Sequence, residues 1–161
     1  MGRDFFDALR RAATPRHVHG EWGASVCGDT VEFGGVRARS RDLAGFLAGA
    51  ARVAVVGVTL GASADACLNR LMRTDMAQAV IADRFFSGLA EEYMGDIQAR
   101  LGGGKRRYSP GYGDFSLEHQ RQLLDMLGCW RIGLFMTDGF MLAPSKSITA
   151  VFPAAGEFFE E

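Results

Sequence analysis

Between Thr74 and Leu101 an apolar side chain recurs at every fourth position, through Ile81, Phe85, Leu89, Tyr93, Ile97 and Leu101, with Phe86, Ala90 and Met94 beside them. A helix advances about 100° per residue, so this spacing lays a continuous apolar stripe along one side of a helix roughly seven turns long. Such a stripe is core, and the rest of the chain has to cover it. Glu91 falls nearly opposite the stripe and faces either water or a cleft on the far side of the helix.

A second constraint lies upstream. Arg52-Val53-Ala54-Val55-Val56-Gly57-Val58-Thr59-Leu60-Gly61 is rich in β-branched residues and runs into Ser63-Ala64-Asp65, a helix-start signal. It reads as a central strand, a tight turn and a helix N-terminus. Backbone N–H groups and the helix dipole at such a turn point toward an anion. Gly57 and Gly61 have the spacing of neither the dinucleotide nor the phosphate-loop motif, so an ordinary strand and crossover is the preferred reading.

The other segments fit around these two. Asp4 to Ala13 carries Phe5, Leu9 and Ala12 at helical spacing and closes at Thr14-Pro15. Ala24 to Arg39 reads as short strands punctuated by Gly28-Asp29 and Gly34-Gly35, a meander. Ser40 is a candidate N-cap for a helix from Arg41 to Ala51, and Ser116 for a helix that turns Leu117, Leu124 and Leu127 inward and ends at Gly128. Trp130 to Thr137 and the segment from Met141 through Phe152 read as two strands around a Pro144-Ser145-Lys146-Ser147 bend. Residues 153–161, with Glu157 to Glu161 at their end, read as a frayed acidic tail. The expected architecture is one domain over residues 1–161, of α/β or α+β class, with helices packed on a twisted, mixed and largely antiparallel sheet.

Charge narrows the partners. Among 161 residues, 18 Lys and Arg face 19 Asp and Glu, a formal net charge of -1, so no global field draws the protein to nucleic acid or to an anionic membrane. No apolar span reaches membrane length and the start lacks a leader's apolar region, which predicts a soluble, cytoplasmic protein. Cys27, Cys67 and Cys129 lie far apart and read as small buried hydrophobes in a reducing compartment. No metal-ligating cluster and no catalytic dyad stand out, and His17, His19 and His119 read as structural or surface residues.

The segment Arg107-Tyr108-Ser109-Pro110-Gly111-Tyr112 places a guanidinium fork, a rigid turn and an aromatic plane within six residues. Pro110 fixes its own φ and biases Ser109 toward extended backbone, while Gly111 permits a turn that a Cβ resists. Arginine matches a carboxylate or phosphate with two parallel hydrogen bonds, and tyrosine offers a flat face with a polar tip. A zwitterionic, ring-bearing ligand suits both. Lys105, Arg106 and the preceding Gly102-Gly103-Gly104 keep a plain solvated turn as the competing reading.

The stretch from Arg107 to Phe115 resembles the R-x-x-P-G-Y turn and capped helix of the S-adenosylmethionine-binding activation domain of cobalamin-dependent methionine synthase, in particular its small stand-alone form. Ile132-Gly133-Leu134, Thr137, Phe140-Met141 and Pro144 through Ala150 resemble that family's closing segment, with Ile148 in a slot the family gives to Val. Thr59-Leu60-Gly61 and Leu89-Ala90-Glu91 are similar more loosely, and the resemblance covers residues 57–152. It implies that Arg107, Tyr112 and Glu91 line a site for S-adenosylmethionine. Arg107 would take the methionyl carboxylate, Glu91 a positive group such as the ammonium, and Tyr112 with the Pro110-Gly111 backbone the nucleoside. The family's larger form also uses an aspartate near its N-terminus, for which Asp4 and Asp7 are candidates by position.

The implied activity is reactivation. Cob(II)alamin on a partner methionine synthase or other corrinoid protein receives an electron from a flavodoxin-like reductant and a methyl group from S-adenosylmethionine. The domain itself positions the methyl donor, as a methyltransferase component without its own acid, base or nucleophile. The alternative is a non-catalytic docking module that contacts a corrinoid protein without using S-adenosylmethionine. A generic nucleotide site at Gly57 to Ser63 ranks third.

Overall fold

In the computed structural model, which describes residues 2–155, the chain runs through α1 (Arg3–Ala12), β1 (Arg16–Cys27), β2 (Thr30–Phe33), β3 (Val36–Arg39), α2 (Arg41–Phe46) and β4 (Arg52–Thr59). It continues with α3 (Ala62–Thr74), α4 (Met76–Arg100), α5 (Gln120–Leu127), β5 (Phe135–Met136), β6 (Leu142–Ala143) and β7 (Ser147–Pro153). Five strands form one sheet in the order β3-β2-β1-β4-β7, antiparallel at every pairing, while β5 and β6 form a separate small ribbon. This is the α+β architecture with a largely antiparallel sheet that the sequence predicts.

The long β1 serves two ladders in succession. Arg16 to Gly23 pair with β4, and Ala24 to Cys27 pair with β2, so the β2–β3 hairpin continues the sheet beyond the end of β4. The sequence reading begins its meander at Ala24 and misses the first eight residues of this strand. Their side chains are at most half-buried, and His17, His19, Gly20 and Gly23 interrupt any apolar alternation.

β4 is the central strand, and both of its faces are covered. Val53 and Val55 pack with Leu43 and Leu47 near α2 and with Leu123, Leu124 and Leu127 of α5. Ala54, Val56 and Val58 pack against Met94 and Ile97 of α4, together with Ala150 and Phe152 of β7. This accounts for the unbroken apolar run, because a strand covered on both faces has no solvent side on which to alternate. Gly57 falls on the α5 side, where a Cβ would come within 3.0 Å of Cys129 Sγ and 3.5 Å of Leu134 Cδ2. A third cluster joins Leu9 of α1 to Leu68 and Leu71 of α3 and Phe86 of α4.

Asp75 caps α4 by accepting from Gln78 N at 3.1 Å. The buried face of this helix is Ala79, Ala82, Phe86, Ala90, Met94, Ile97 and Gln98, whereas Ile81, Phe85, Leu89, Tyr93 and Leu101 are half-buried. The stripe read from the sequence is thus rotated from the true core by less than a quarter turn. The small residues Ala79, Ala82 and Ala90, rather than the bulky line, are buried in the cluster shared with α3 and let the helix approach it.

Other expectations are corrected by local geometry. The helix from Arg41 ends at Phe46, because the chain turns back to start β4, with Ala50 N donating to Leu47 O and Gly49 at φ 80°. Leu117 is exposed, since the segment capped by Ser116 begins with a turn of 3₁₀ helix that points it outward before α5 turns Leu123, Leu124 and Leu127 into the core. Trp130 to Thr137 begins in a 3₁₀ helix over Cys129–Ile132, and only Phe135–Met136 is strand. Cys129 is buried, Cys67 is partly buried, and Cys27 is exposed at the end of β1. The chain stays paired through Pro153, and Ala154 N donates to Arg52 O at 3.0 Å. The acidic tail lies outside the described residues.

Candidate functional site

The turn that carries Arg107 and Tyr112 is fastened to the outer edge of β7. Tyr108 exchanges two backbone hydrogen bonds with Val151, of 2.9 and 2.7 Å, and Ser109 Oγ donates to Thr149 O. Thr149 Oγ1 donates to Gln120 Oε1 at 2.9 Å, tying the same strand position to α5. Pro110 is buried, Gly111 adopts φ 97°, and Gly111 N donates to Phe115 O at 2.7 Å. Tyr112 N donates to Ser109 O and Phe115 N to Tyr112 O, and Phe115 is buried. The closed loop therefore buries Pro110 and Phe115 and turns the Tyr112 ring outward, 63% exposed.

Arg107 meets α4. Its Nη2 forms an ion pair with Glu91 Oε2, and its Nη1 donates to Gln98 Oε1 at 3.0 Å. Gln98 Nε2 donates in turn to the carbonyl of Arg106 at 2.8 Å. Seven residues on a helix fall about 20° short of two full turns, so Glu91 and Gln98 stand on one side of α4, about 10 Å apart along its axis. That side borders the true buried face rather than opposing it, which is why a glutamate placed off the apolar stripe reaches a pocket. The Glu91 side chain is 58% exposed and that of Arg107 only 21%, so the carboxylate forms the outer, wet half of the pair.

These groups open onto a cleft of about 410 Å³ lined by Glu91, Arg106, Arg107, Tyr108, Tyr112 and Ile148, among others. A smaller hollow of about 130 Å³ shares Glu91 and Ile148 with it and is closed by Lys146, whose Nζ donates to Asp83 at 2.7 Å and to Ser87 at 2.9 Å. Glu91, Arg107 and Tyr112 thus line one cleft. Pro110 and Gly111 shape the turn without lining the cleft. Asp4 and Asp7 lie on α1, which packs against α3 and α4, and neither lines it.

Gln98 is the site residue that sequence reasoning missed. The available signal was a lone amide one position past Ile97 and seven past Glu91, inside an otherwise apolar helix face. The cleft's size and its opposed charges beside an exposed ring fit a zwitterionic nucleoside, since small-ligand sites span about 300–1,000 Å³ and fix orientation with a few polar groups.

Around the site, Asp114 anchors the turn to α2. It accepts from Ser40 Oγ at 2.5 Å, Arg41 N at 2.9 Å and Asp42 N at 3.1 Å, and its own N–H donates to Asp42 Oδ2. The Ser40 hydroxyl, followed by these backbone N–H groups, holds the Asp114 carboxyl below its ordinary range. His17 Nδ1 lies 3.0 Å from Tyr93 Oη, and burial, then the neighbouring His19 and Arg100, lowers the His17 pKa. His119 stacks on Phe115 with ring centroids 5.6 Å apart. At the start of α3, Ser63 Oγ donates to Ala12 O and Asp65 accepts from Ser145 N and Oγ, so that helix turn already carries a carboxylate. No described helix is long and apolar enough to cross a membrane.

No family model matches the chain, and no curated protein matches it in sequence. Among solved structures it is similar to one described as the MetH reactivation domain bound to AdoHcy, with a TM-score of 0.74 and 16% identity. The likeness covers 98% of this chain and 64% of the other, so it extends beyond residues 57–152, and the chain spans less than two thirds of that structure's length. The open antiparallel sheet and its packed helices therefore share their overall fold with that structure.

Proposed function

We propose that the chain binds S-adenosylmethionine in the cleft between α4 and the Arg107 to Tyr112 turn and acts as a reactivation module for a cobalamin-dependent methionine synthase. The observation that carries this reading is the convergence of Arg107, Glu91 and Tyr112 on one cleft, in a chain whose fold is similar to that of a structure described with AdoHcy bound. Arg107 retains three of its five N–H donors beyond those given to Gln98 and Glu91, enough for a carboxylate. Glu91 exchanges its guanidinium partner for the ligand's ammonium, so a zwitterion replaces an ion pair with two. The exposed face of Tyr112 stacks on the nucleoside.

S-adenosylmethionine supplies an activated sulfonium methyl, and the corrinoid carried by the partner supplies the nucleophile, with a flavodoxin-like protein as reductant. This chain orients the methyl donor and holds it at the open rim of the cleft, so its contribution is positional. The docking reading has one observation in its favour, which is that Arg107 already has protein partners at both terminal nitrogens. Titration calorimetry separates the two. Saturable binding of S-adenosylmethionine that disappears in Arg107→Ala supports the reactivation module, and no binding by the folded wild-type protein refutes it.

A further inference from the structure

We propose that Gln98 is a positioning residue that fixes the orientation of the Arg107 guanidinium and keeps its positive charge uncompensated from the protein interior, which makes the cleft selective for ligands with a free carboxylate. This rests on the reading of the cleft as an S-adenosylmethionine site. Gln98 is 1% exposed, and both ends of its amide are engaged. A flipped amide would set NH₂ against the guanidinium and oxygen against the Arg106 carbonyl, losing both bonds, so one orientation is enforced. The chain packs closely around it: a Cβ on Gly103 would lie 2.7 Å from Gln98 Cγ, and Gly103 N donates to Gln98 O. The guanidinium is thereby held at Nη1 by a buried neutral amide, while Nη2 pairs with Glu91, which lines the cleft.

The chemistry of the amide matters as much as its position. Glutamate would occupy nearly the same volume, but its charge would neutralise Arg107 from the buried side, and its second oxygen would face the Arg106 carbonyl with no proton between them. With glutamine the only carboxylate paired with Arg107 among the described residues is Glu91, half in solvent and free to exchange. The inner partner is therefore fixed and neutral, and the outer one charged and replaceable. That division leaves a full positive charge for the ligand.

The test compares S-adenosylhomocysteine with its carboxamide by calorimetry, in the wild-type protein, Gln98→Glu and Gln98→Leu. A charge-assisted hydrogen bond corresponds to roughly a 10- to 150-fold preference for the carboxylate in the wild-type protein. In Gln98→Glu the preference collapses to within about threefold while carboxamide affinity stays close to the wild-type value, a pattern that simple loss of packing does not produce. Gln98→Leu leaves the charge but frees the fork, so it weakens the carboxylate ligand and retains part of the preference. A wild-type-like preference in Gln98→Glu, or wild-type affinity in Gln98→Leu, overturns this role while the binding reading stands. Failure of the wild-type protein to bind either compound sinks the binding reading and this inference with it.

Discussion

Replacing Glu91 by glutamine removes a charge at nearly constant shape and separates a ligand-binding role from a structural one. In the free protein the carboxylate is 58% exposed, and a pair so close to water contributes at most about 1 kcal/mol. The glutamine amide still accepts from Arg107, so the thermal midpoint should move by no more than about 2–4 °C for a chain of this size. In the complex, Glu91 accepts a charge-assisted hydrogen bond from the ligand's ammonium, and such bonds contribute about 1.5–3 kcal/mol. Wild-type binding first separates Glu91 from Arg107, which offsets up to about 1 kcal/mol of that gain. The net loss in Glu91→Gln is then about 0.5–3 kcal/mol, or roughly a 2- to 150-fold rise in Kd for S-adenosylhomocysteine by calorimetry. The deficit should narrow as salt is raised, because the pair sits at the surface. A large fall in the midpoint with unchanged Kd would show that Glu91 only props up Arg107, and the assignment of the ammonium to this residue would be lost.

Gly57→Ala should lower stability by about 1–3 kcal/mol in urea unfolding, because its Cβ enters the 3.0 Å space beside buried Cys129 Sγ; a neutral result would mean that the α5 layer is looser than described. Asp114 has a folded-state pKa below its unfolded value, so its contribution is fully present above the unfolded pKa of about 3.9 and is lost as pH falls through the lower folded value. The urea midpoint of the wild-type protein should therefore drop more steeply below about pH 4 than that of Asp114→Asn, and parallel curves would contradict the cap. Burial pushes the Cys129 thiol up to about 12, so iodoacetamide at pH 8 should label Cys27 in the native protein and reach Cys129 only after unfolding, as peptide mass spectrometry would show.

What was legible in the sequence followed from features that act locally. Ser40 caps α2 because its side chain finds the backbone N–H of Leu43 three residues away, and Gly128 ends α5 at φ 64°, where a residue with a Cβ is strained. The β4 run declares itself because both faces are buried. β1 did not, since its register is set by strands on either side rather than by its own alternation. The 3₁₀ turn over Cys129–Ile132 was misread for a related reason. Trp130, Ile132 and Leu134 mimic strand alternation, yet Trp130 is 78% exposed and only Cys129 and Leu134 are buried.

The site shows the same division between near and far. Arg107, Pro110, Gly111 and Tyr112 are a contiguous turn, and their type and spacing were enough to suggest a grip. Its depth was not visible, because it depends on residues brought in from elsewhere: Gln98 from α4, Thr149 and Val151 from β7, and Gln120 from α5. A glutamine at the edge of an apolar helix face reads as a tolerated defect until the Arg106 carbonyl and the Arg107 guanidinium are seen to claim both ends of its amide. Removing solvent from an amide is costly unless both ends are bonded, so its burial at 1% exposure requires this arrangement, and Arg107 is fixed as a consequence. The orientation of the exposed, exchangeable half of the site is therefore set by the hydrogen-bond requirement of its buried half.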